Sequence, residues 1–80
     1  MIIFDYKGKK NICGSRIREA RKKEGLTQNT LAAKLQVAEI NLERDSISRI
    51  EKGVRIVTDY ELFVIARILK VSPLWLIGWE

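Results

Sequence analysis

Apolar residues recur every three or four positions in several short segments of the chain, which is the spacing of one face of an α-helix. In the first of these segments Ile17 and Ala20 follow this spacing. Gly25 comes directly afterwards and is the residue type that most easily adopts the left-handed conformation at a helix end. The pattern predicts a first helix over about residues 11–24 or 14–24.

The second segment predicts a helix over about residues 27–36. Leu31 and Leu35 are four positions apart and define its apolar face. Thr27 stands at its start, where the hydroxyl can accept a hydrogen bond from a backbone N–H of the first turn. The following residues, 37–43, alternate apolar and polar side chains and are predicted to form a loop attached to the core.

The third segment predicts a helix from Arg44 to about Lys52. Ile47 and Ile50 mark its inner face, and Gly53 is suited to end it. Four polar residues are left on the outer face: Arg44, Asp45, Ser48 and Arg49.

Two further helix starts follow. Thr58 and Glu61 have the spacing of a capping box, in which each side chain bonds the backbone N–H of the other residue. Leu62, Ile65, Ala66 and Leu69 then predict the inner face of a fourth helix. Ser72 and Pro73 are a cap and a favourable first helical residue for a short last helix over residues 74–77. The chain is therefore predicted to be an all-α bundle of five helices.

Residues 1–10 lack a helical period. Ile2, Ile3, Phe4 and Tyr6 favour extended structure and precede Gly8, so this segment is predicted to be an extended arm or one edge strand. The predicted organisation is an N-terminal arm, residues 1–10, and one helical domain, residues 11–80.

Charge is unevenly distributed along the 80 residues, whose formal net charge is +5. Residues 1–25 contain eight basic and three acidic side chains, whereas residues 26–80 contain seven of each. A positive excess favours a polyanionic partner.

Composition argues against several other classes of protein. The apolar runs are too short to span a membrane, and no basic region precedes the apolar residues at the N-terminus as in a secretory signal, so a cytoplasmic location is expected, with association with the nucleoid if the protein binds DNA. The chain has no histidine, and Cys13 is its single cysteine, which we expect to be a core residue. Since the acidic residues also lack a convergent spacing, we expect no enzyme activity, no metal site and no cofactor.

Several segments together resemble the phage repressor and Cro-like, or lambda-repressor-like, helix-turn-helix family. These segments are Arg16-Ile17-Arg18-Glu19-Ala20-Arg21, Gly25-Leu26-Thr27-Gln28, Leu31-Ala32, Leu35, Ile47-Ser48-Arg49-Ile50-Glu51-Lys52-Gly53 and Leu74-Trp75-Leu76. The resemblance implies a five-helix DNA-binding domain with the helix-turn-helix at helices two and three. The turn is longer than usual, since Leu35 and Ile47 are twelve positions apart. Gln36 stands where the family often has glycine, and Glu43 where it favours a Ser or Thr cap.

Candidate base contacts lie on the third helix, because an α-helix fits the major groove of B-DNA and reads base edges there. A guanidinium can bond two acceptors of guanine, which suits Arg44 and Arg49. By family position, Asp45 and Ser48 are the other outward residues expected to contact bases, although Asp45 could instead cap the helix.

Candidate phosphate contacts lie at the start of the second helix, where free N–H groups attract anions. The resemblance implies that Gln28 bonds a phosphate and also braces the third helix. Thr27, Asn29, Lys52 and Arg55 are its expected neighbours along the DNA backbone.

Two other sets of residues have different expected roles. The resemblance implies a structural salt bridge between Arg21 and Glu51. Trp79 lies at the end of the chain with little left to pack against, so Leu76, Ile77 and Trp79 are candidates for a dimer interface. The alternative is that Trp79 packs against its own domain.

The expected function is a sequence-specific regulator of transcription that binds double-stranded DNA. Its expected action is that of a repressor, a homodimer on a palindromic operator. One alternative is an antitoxin, whose N-terminal arm would bind a toxin protein. Another is a protein-interaction adaptor that keeps the fold without binding DNA.

Overall fold

The computed structural model describes residues 5–80 and contains five α-helices, as predicted. They are α1 (Gly14–Lys23), α2 (Gln28–Val37), α3 (Arg44–Glu51), α4 (Asp59–Leu69) and α5 (Pro73–Leu76). Met1–Phe4, which belong to the predicted arm, lie outside the described residues. Residues 5–10 do not form the edge strand that was one interpretation of the arm, and contain only an isolated bridge between Tyr6 and Lys9.

No helix in the described part of the chain has the length and apolar character needed to cross a membrane.

Three helices begin at the residues that the sequence indicated. The hydroxyl of Thr27 accepts from the N–H of Thr30 at 3.0 Å, and Thr30 bonds back to the N–H of Thr27 at 2.8 Å. Thr58 and Glu61 form the predicted capping box at the start of α4. Ser72 caps α5 by accepting from the N–H of Leu74 at 3.0 Å. These hydrogen bonds satisfy N–H groups that have no partner inside the helix.

All five helices end at a residue in the left-handed conformation. These residues are Gly25, Glu39, Gly53, Lys70 and Gly78. In each case the N–H of the next residue bonds a carbonyl five positions back, as from Leu26 to Arg21 at 3.0 Å, so the last turn is closed. Glycine adopts this conformation without steric cost, whereas the side chains of Glu39 and Lys70 make it less favourable.

The core is formed by residues from all five helices and from the loop before α3, and by Cys13 just before α1. The buried apolar residues are Cys13, Ile17, Ala20, Leu31, Leu35, Leu42, Ile47, Ile50, Ile65, Ala66, Leu69 and Leu76. Burial raises the pKa of the Cys13 thiol to about 11, so this cysteine is a protonated core residue. Leu62, predicted to be inward, is only half-buried at its edge, and so is Trp75.

The long turn of the helix-turn-helix is partly attached to the core. Leu42 is buried and Ile40 is half-buried, as the alternation predicted for this loop. Val37 differs, since it is the last residue of α2 and its side chain is 87% exposed. Because Leu42 is buried two residues before α3, the longer loop leaves the start of α3 attached to the core.

Candidate nucleic-acid interface

The outer face of α3 is a continuous polar stripe. Arg44, Asp45 and Arg49 are exposed, and Ser48 is half-buried. Lys52 follows at the C-terminal end of α3 and continues the stripe, because residues four apart lie on the same face of a helix. Ile47 and Ile50, each 1% exposed, hold the opposite face in the core. The inward and outward residues of this helix are therefore placed as the periodicity predicted.

Both arginines of the stripe are available for a partner molecule. Arg44 lies 3.4 Å from a carboxylate oxygen of Asp45, but this pair is solvent-exposed and such pairs contribute about 0–1 kcal/mol. Within residues 5–80, Arg49 has no ion pair or side-chain hydrogen bond. Neither guanidinium would have to break a strong contact in order to bind a base edge.

A buried network fixes α3 against α1 and α2. Arg21 of α1 donates to both carboxylate oxygens of Glu51, from Nε at 2.7 Å and from Nη2 at 3.1 Å. Gln28 of α2 donates to the same carboxylate at 3.1 Å. The hydrogen bond to Glu51 raises the pKa of Arg21 above its ordinary value. Because the side chains of Arg21 and Glu51 are 9% and 3% exposed, this ion pair lies inside the domain.

The start of α2 offers backbone donors to an anion. The side-chain amide of Gln28 is engaged with Glu51, so its contribution to phosphate binding would come from its backbone N–H. The N–H groups of Gln28 and Asn29 lie in the first helical turn and have no intrahelical acceptor. Thr27 and Asn29 are exposed beside them. This end of α2 also carries the positive end of the helix dipole.

Arg55 has a structural environment that the sequence did not predict. Its guanidinium donates to the two carboxylate oxygens of Glu61 at 3.1 and 3.3 Å, and to the carbonyl of Ile56 at 2.8 Å. Its side chain is 26% exposed. Arg55 therefore holds the connector between α3 and α4, whereas the side chain of Lys52 is exposed.

Glu61 couples this connector to the acid stability of the fold. Burial alone would raise its pKa, but the hydrogen bonds from Arg55 and Thr58 outweigh burial and lower the pKa below 4.5. A depressed native pKa stabilises the fold above the unfolded value, and this stabilisation is lost as the pH falls through the native value.

We therefore expect Glu61→Gln to lower the free energy of unfolding at neutral pH, and we expect this difference from the parent protein to shrink below pH 4.5. Urea denaturation of both proteins at a series of pH values measures the difference. Two stability curves that stay parallel down to the acid transition would contradict the role of Glu61.

Asn11 is a positioning residue that the sequence analysis did not single out. Its amide nitrogen donates to the carbonyls of Ile50 and Arg55 at 3.0 and 2.7 Å, and its oxygen accepts from the N–H of Gly14 at 2.8 Å. A Cβ added to Gly14 would overlap the carbonyl oxygen of Ile50, so the backbones of α1 and α3 are in direct contact there. The available sequence signal was an Asn three positions before the first residue of α1, since Asn side chains often bond backbone groups at the start of a helix.

The candidate dimer residues are not all on the surface. Leu76 is fully buried in the core, because α5 turns this side chain towards the other helices. The prediction that Leu76 lies in a dimer interface is therefore wrong. Ile77 and Trp79 are 38% and 78% exposed. Trp75 is half-buried under Arg16, whose guanidinium lies 4.7 Å from the ring centroid. Of the three candidates, Ile77 and Trp79 therefore present apolar surface to solvent, and Leu74 beside them is 45% exposed.

Comparison with known proteins gives a family and a fold. A family model described as "Helix-turn-helix" matches residues 17–76. The structure is similar to that of the P22 c2 repressor protein in complex with synthetic operator 9T, with a TM-score of 0.72 and 24% identity over 88% of this chain and 98% of that one.

It is also similar to the restriction-modification controller protein C.AhdI from Aeromonas hydrophila, with a TM-score of 0.68 and 31% identity over 80% of this chain and 86% of that one. No curated protein sequence matches the chain. The family match covers three quarters of the sequence, and the similar structures agree with the arrangement of the five helices. The chain therefore belongs to the helix-turn-helix family and has the fold of its lambda-repressor-like transcriptional regulators.

Proposed function

We propose that this protein is a sequence-specific repressor that binds a palindromic DNA operator as a homodimer. The observation that carries the proposal is the exposed stripe on α3, with two available guanidinium groups, on a helix that the network around Glu51 fixes to α1 and α2. A rigid helix with donors on its outer face is suited to the major groove, because base recognition requires side chains held in register with the base edges.

Base recognition is assigned to the outer face of α3. Arg44 and Arg49 would each donate two hydrogen bonds to guanine, and Asp45 would accept from the amino group of cytosine. Ser48, half-buried between them, can donate to or accept from several bases and adds less selectivity. Residues at the N-terminal end of a recognition helix reach base edges, and Arg44 and Asp45 stand at that end of α3.

Phosphate contacts would fix the register of α3 on the duplex. Backbone N–H groups at the start of α2, with Thr27 and Asn29, would bind one phosphate, and Lys52 would bind another. These contacts add affinity for any duplex, since phosphates are the same in every sequence.

Dimerisation is assigned to the exposed apolar end of the chain. Leu74, Ile77 and Trp79 are 45%, 38% and 78% exposed, and aromatic and aliphatic side chains are the usual centre of such interfaces. Two copies related by a two-fold axis would present two α3 helices to two half-sites. Repression would follow from occupation of promoter DNA. The operator-bound form of the structurally similar P22 c2 repressor supports this proposal.

Selection of binding sites from a pool of random duplexes tests the proposal. We expect enrichment of two inverted half-sites centred about one helical turn, roughly 34–36 Å, apart. The logarithm of the binding constant should fall with the logarithm of salt concentration at about 0.9 per phosphate neutralised. A pool that shows no enrichment would contradict sequence-specific binding, and one asymmetric site would contradict the homodimer.

A further inference from the structure

We propose that residues Tyr6–Lys9, called here the basic hairpin, form a fixed second contact with the DNA backbone beside the C-terminal end of α3. This inference rests on the proposed function, because it assumes that α3 enters the major groove. It adds a surface outside the helix-turn-helix, contributed by the segment before α1.

The basic hairpin has a defined conformation. The N–H of Tyr6 donates to the carbonyl of Lys9 at 2.6 Å, and the N–H of Lys9 donates back at 3.0 Å. The two residues between them, Lys7 and Gly8, have φ values of 53° and 82°. Two consecutive residues with positive φ form the tight turn that matches the twist of a two-residue hairpin. Backbone hydrogen bonds therefore fix the turn that carries the side chains of Lys7 and Lys9.

The end of α3 holds the hairpin in place. The N–H of Lys10 donates to the carbonyl of Gly53 at 2.8 Å, and the ammonium of Lys9 lies 3.4 Å from the carbonyl of Lys52. The methylene groups of Lys9 lie where Gly53 would carry a Cβ, so any larger residue there would push this side chain away. Gly53 is needed both for its positive φ of 79° and for this close approach.

This arrangement concentrates positive charge. Lys7, Lys9 and Lys52 are exposed and line one open depression of about 280 Å³. Within residues 5–80, none of these three lysines forms a salt bridge. Glu51 also lines the depression, but its carboxylate is engaged by Arg21 and Gln28. The like charges repel one another, and a polyanion would relieve this repulsion.

The position of the depression fits a phosphate contact rather than a base contact. Lys52 is eight residues after Arg44, about 12 Å along the helix at 1.5 Å per residue. This length is close to the width of the major groove, about 12 Å. If the N-terminal residues of α3 reach the bases, its C-terminal end and the adjoining hairpin lie at the border of the groove, where the phosphates are.

The test compares two double variants that each remove two positive charges. Lys7→Gln/Lys9→Gln changes the hairpin, whereas Lys23→Gln/Lys34→Gln changes two exposed lysines on α1 and α2. Lys23 lines a different depression, between α1 and α5, which contains no residue of the hairpin. The second variant therefore matches the loss of charge without changing the proposed contact. Binding to the selected operator and to a random duplex is measured over a range of salt concentrations, after circular dichroism has shown native helix content.

We expect the hairpin variant to reduce the salt slope by about one to two, since each lost phosphate contact removes about one. Its affinity should fall equally for operator and random duplex, with an unchanged preferred sequence. A slope that equals that of the control variant would overturn the inference. If the parent protein itself shows no sequence preference, the proposed function fails instead.

A single variant keeps the test valid if the double variant does not fold. Lys7→Gln leaves the contact between Lys9 and Gly53 intact, because the ammonium of Lys7 lies instead 5.4 Å from the ring centroid of Tyr6. We expect this variant to show about half of the change in slope. An unchanged salt slope in a folded Lys7→Gln protein would show that Lys7 does not contact DNA. This result would contradict the proposed contact of the basic hairpin.

Discussion

Replacement of Glu51 by alanine is expected to destabilise the protein by about 3–5 kcal/mol, the cost of removing one partner of a buried ion pair. Glu51 accepts three hydrogen bonds, two from Arg21 and one from Gln28, and its side chain is 3% exposed. Its removal leaves the guanidinium of Arg21 in the interior without its charge partner. A domain of this size loses about 4–8 °C of Tm per kcal/mol.

Glu24→Ala is the matched control for this prediction. Glu24 pairs with Lys70 at 3.6 Å, but the two side chains are 32% and 77% exposed. Because solvent screens such a pair, we expect a change of about 0–1 kcal/mol. Urea denaturation monitored by circular dichroism measures both variants. Similar stabilities for the two would show that burial of the Glu51 network contributes little.

Arg44→Ala and Arg49→Ala are each expected to weaken operator binding by about 1–3 kcal/mol, or roughly 5- to 150-fold, and to relax the preference at one base pair. Both side chains are exposed, and neither has a strong contact inside the domain. The free energy of unfolding should therefore change by about 0.5 kcal/mol or less. Loss of binding without loss of stability is the signature of a direct contact.

Lys23→Ala is the control for these two variants, since it removes one exposed positive charge from α1. We expect it to weaken binding to operator and random duplex only slightly and equally. Fluorescence anisotropy with the selected operator and with single-base-pair variants measures affinity and preference together. Unchanged operator affinity in both arginine variants would contradict the assignment of the outer face of α3 as the reading surface.

The helices were predictable because their signals are local. The caps at Thr27, Thr58 and Ser72 and the stops at Gly25 and Gly53 act over three to five residues of chain. The left-handed residues Glu39 and Lys70 were not predicted, since their side chains favour other conformations. The residues that follow them, Ile40 and Val71, pack against the core, and this contact is visible only in the folded structure.

The candidate site was predictable in part. The periodicity of α3 placed Arg44 and Arg49 outside and Ile47 and Ile50 inside, because a helix has only one way to bury both isoleucines. The same reasoning could not place Leu76. In a helix of four residues every side chain is near an end, and the contacts with α1 and α4 decide which one is buried.

By itself, the order of residues determined where the helices begin, which face of each is apolar and which side chains α3 exposes, since these properties depend on neighbours within one or two turns. Only the tertiary structure decided that Asn11 joins α1 to α3, that Arg55 pairs with Glu61 and that Lys9 packs on Gly53. Asn11 and Lys9 meet partners about 40 positions away along the chain. Contacts of this kind depend on how the helices pack, and packing follows from the burial of the whole core rather than from any local pattern.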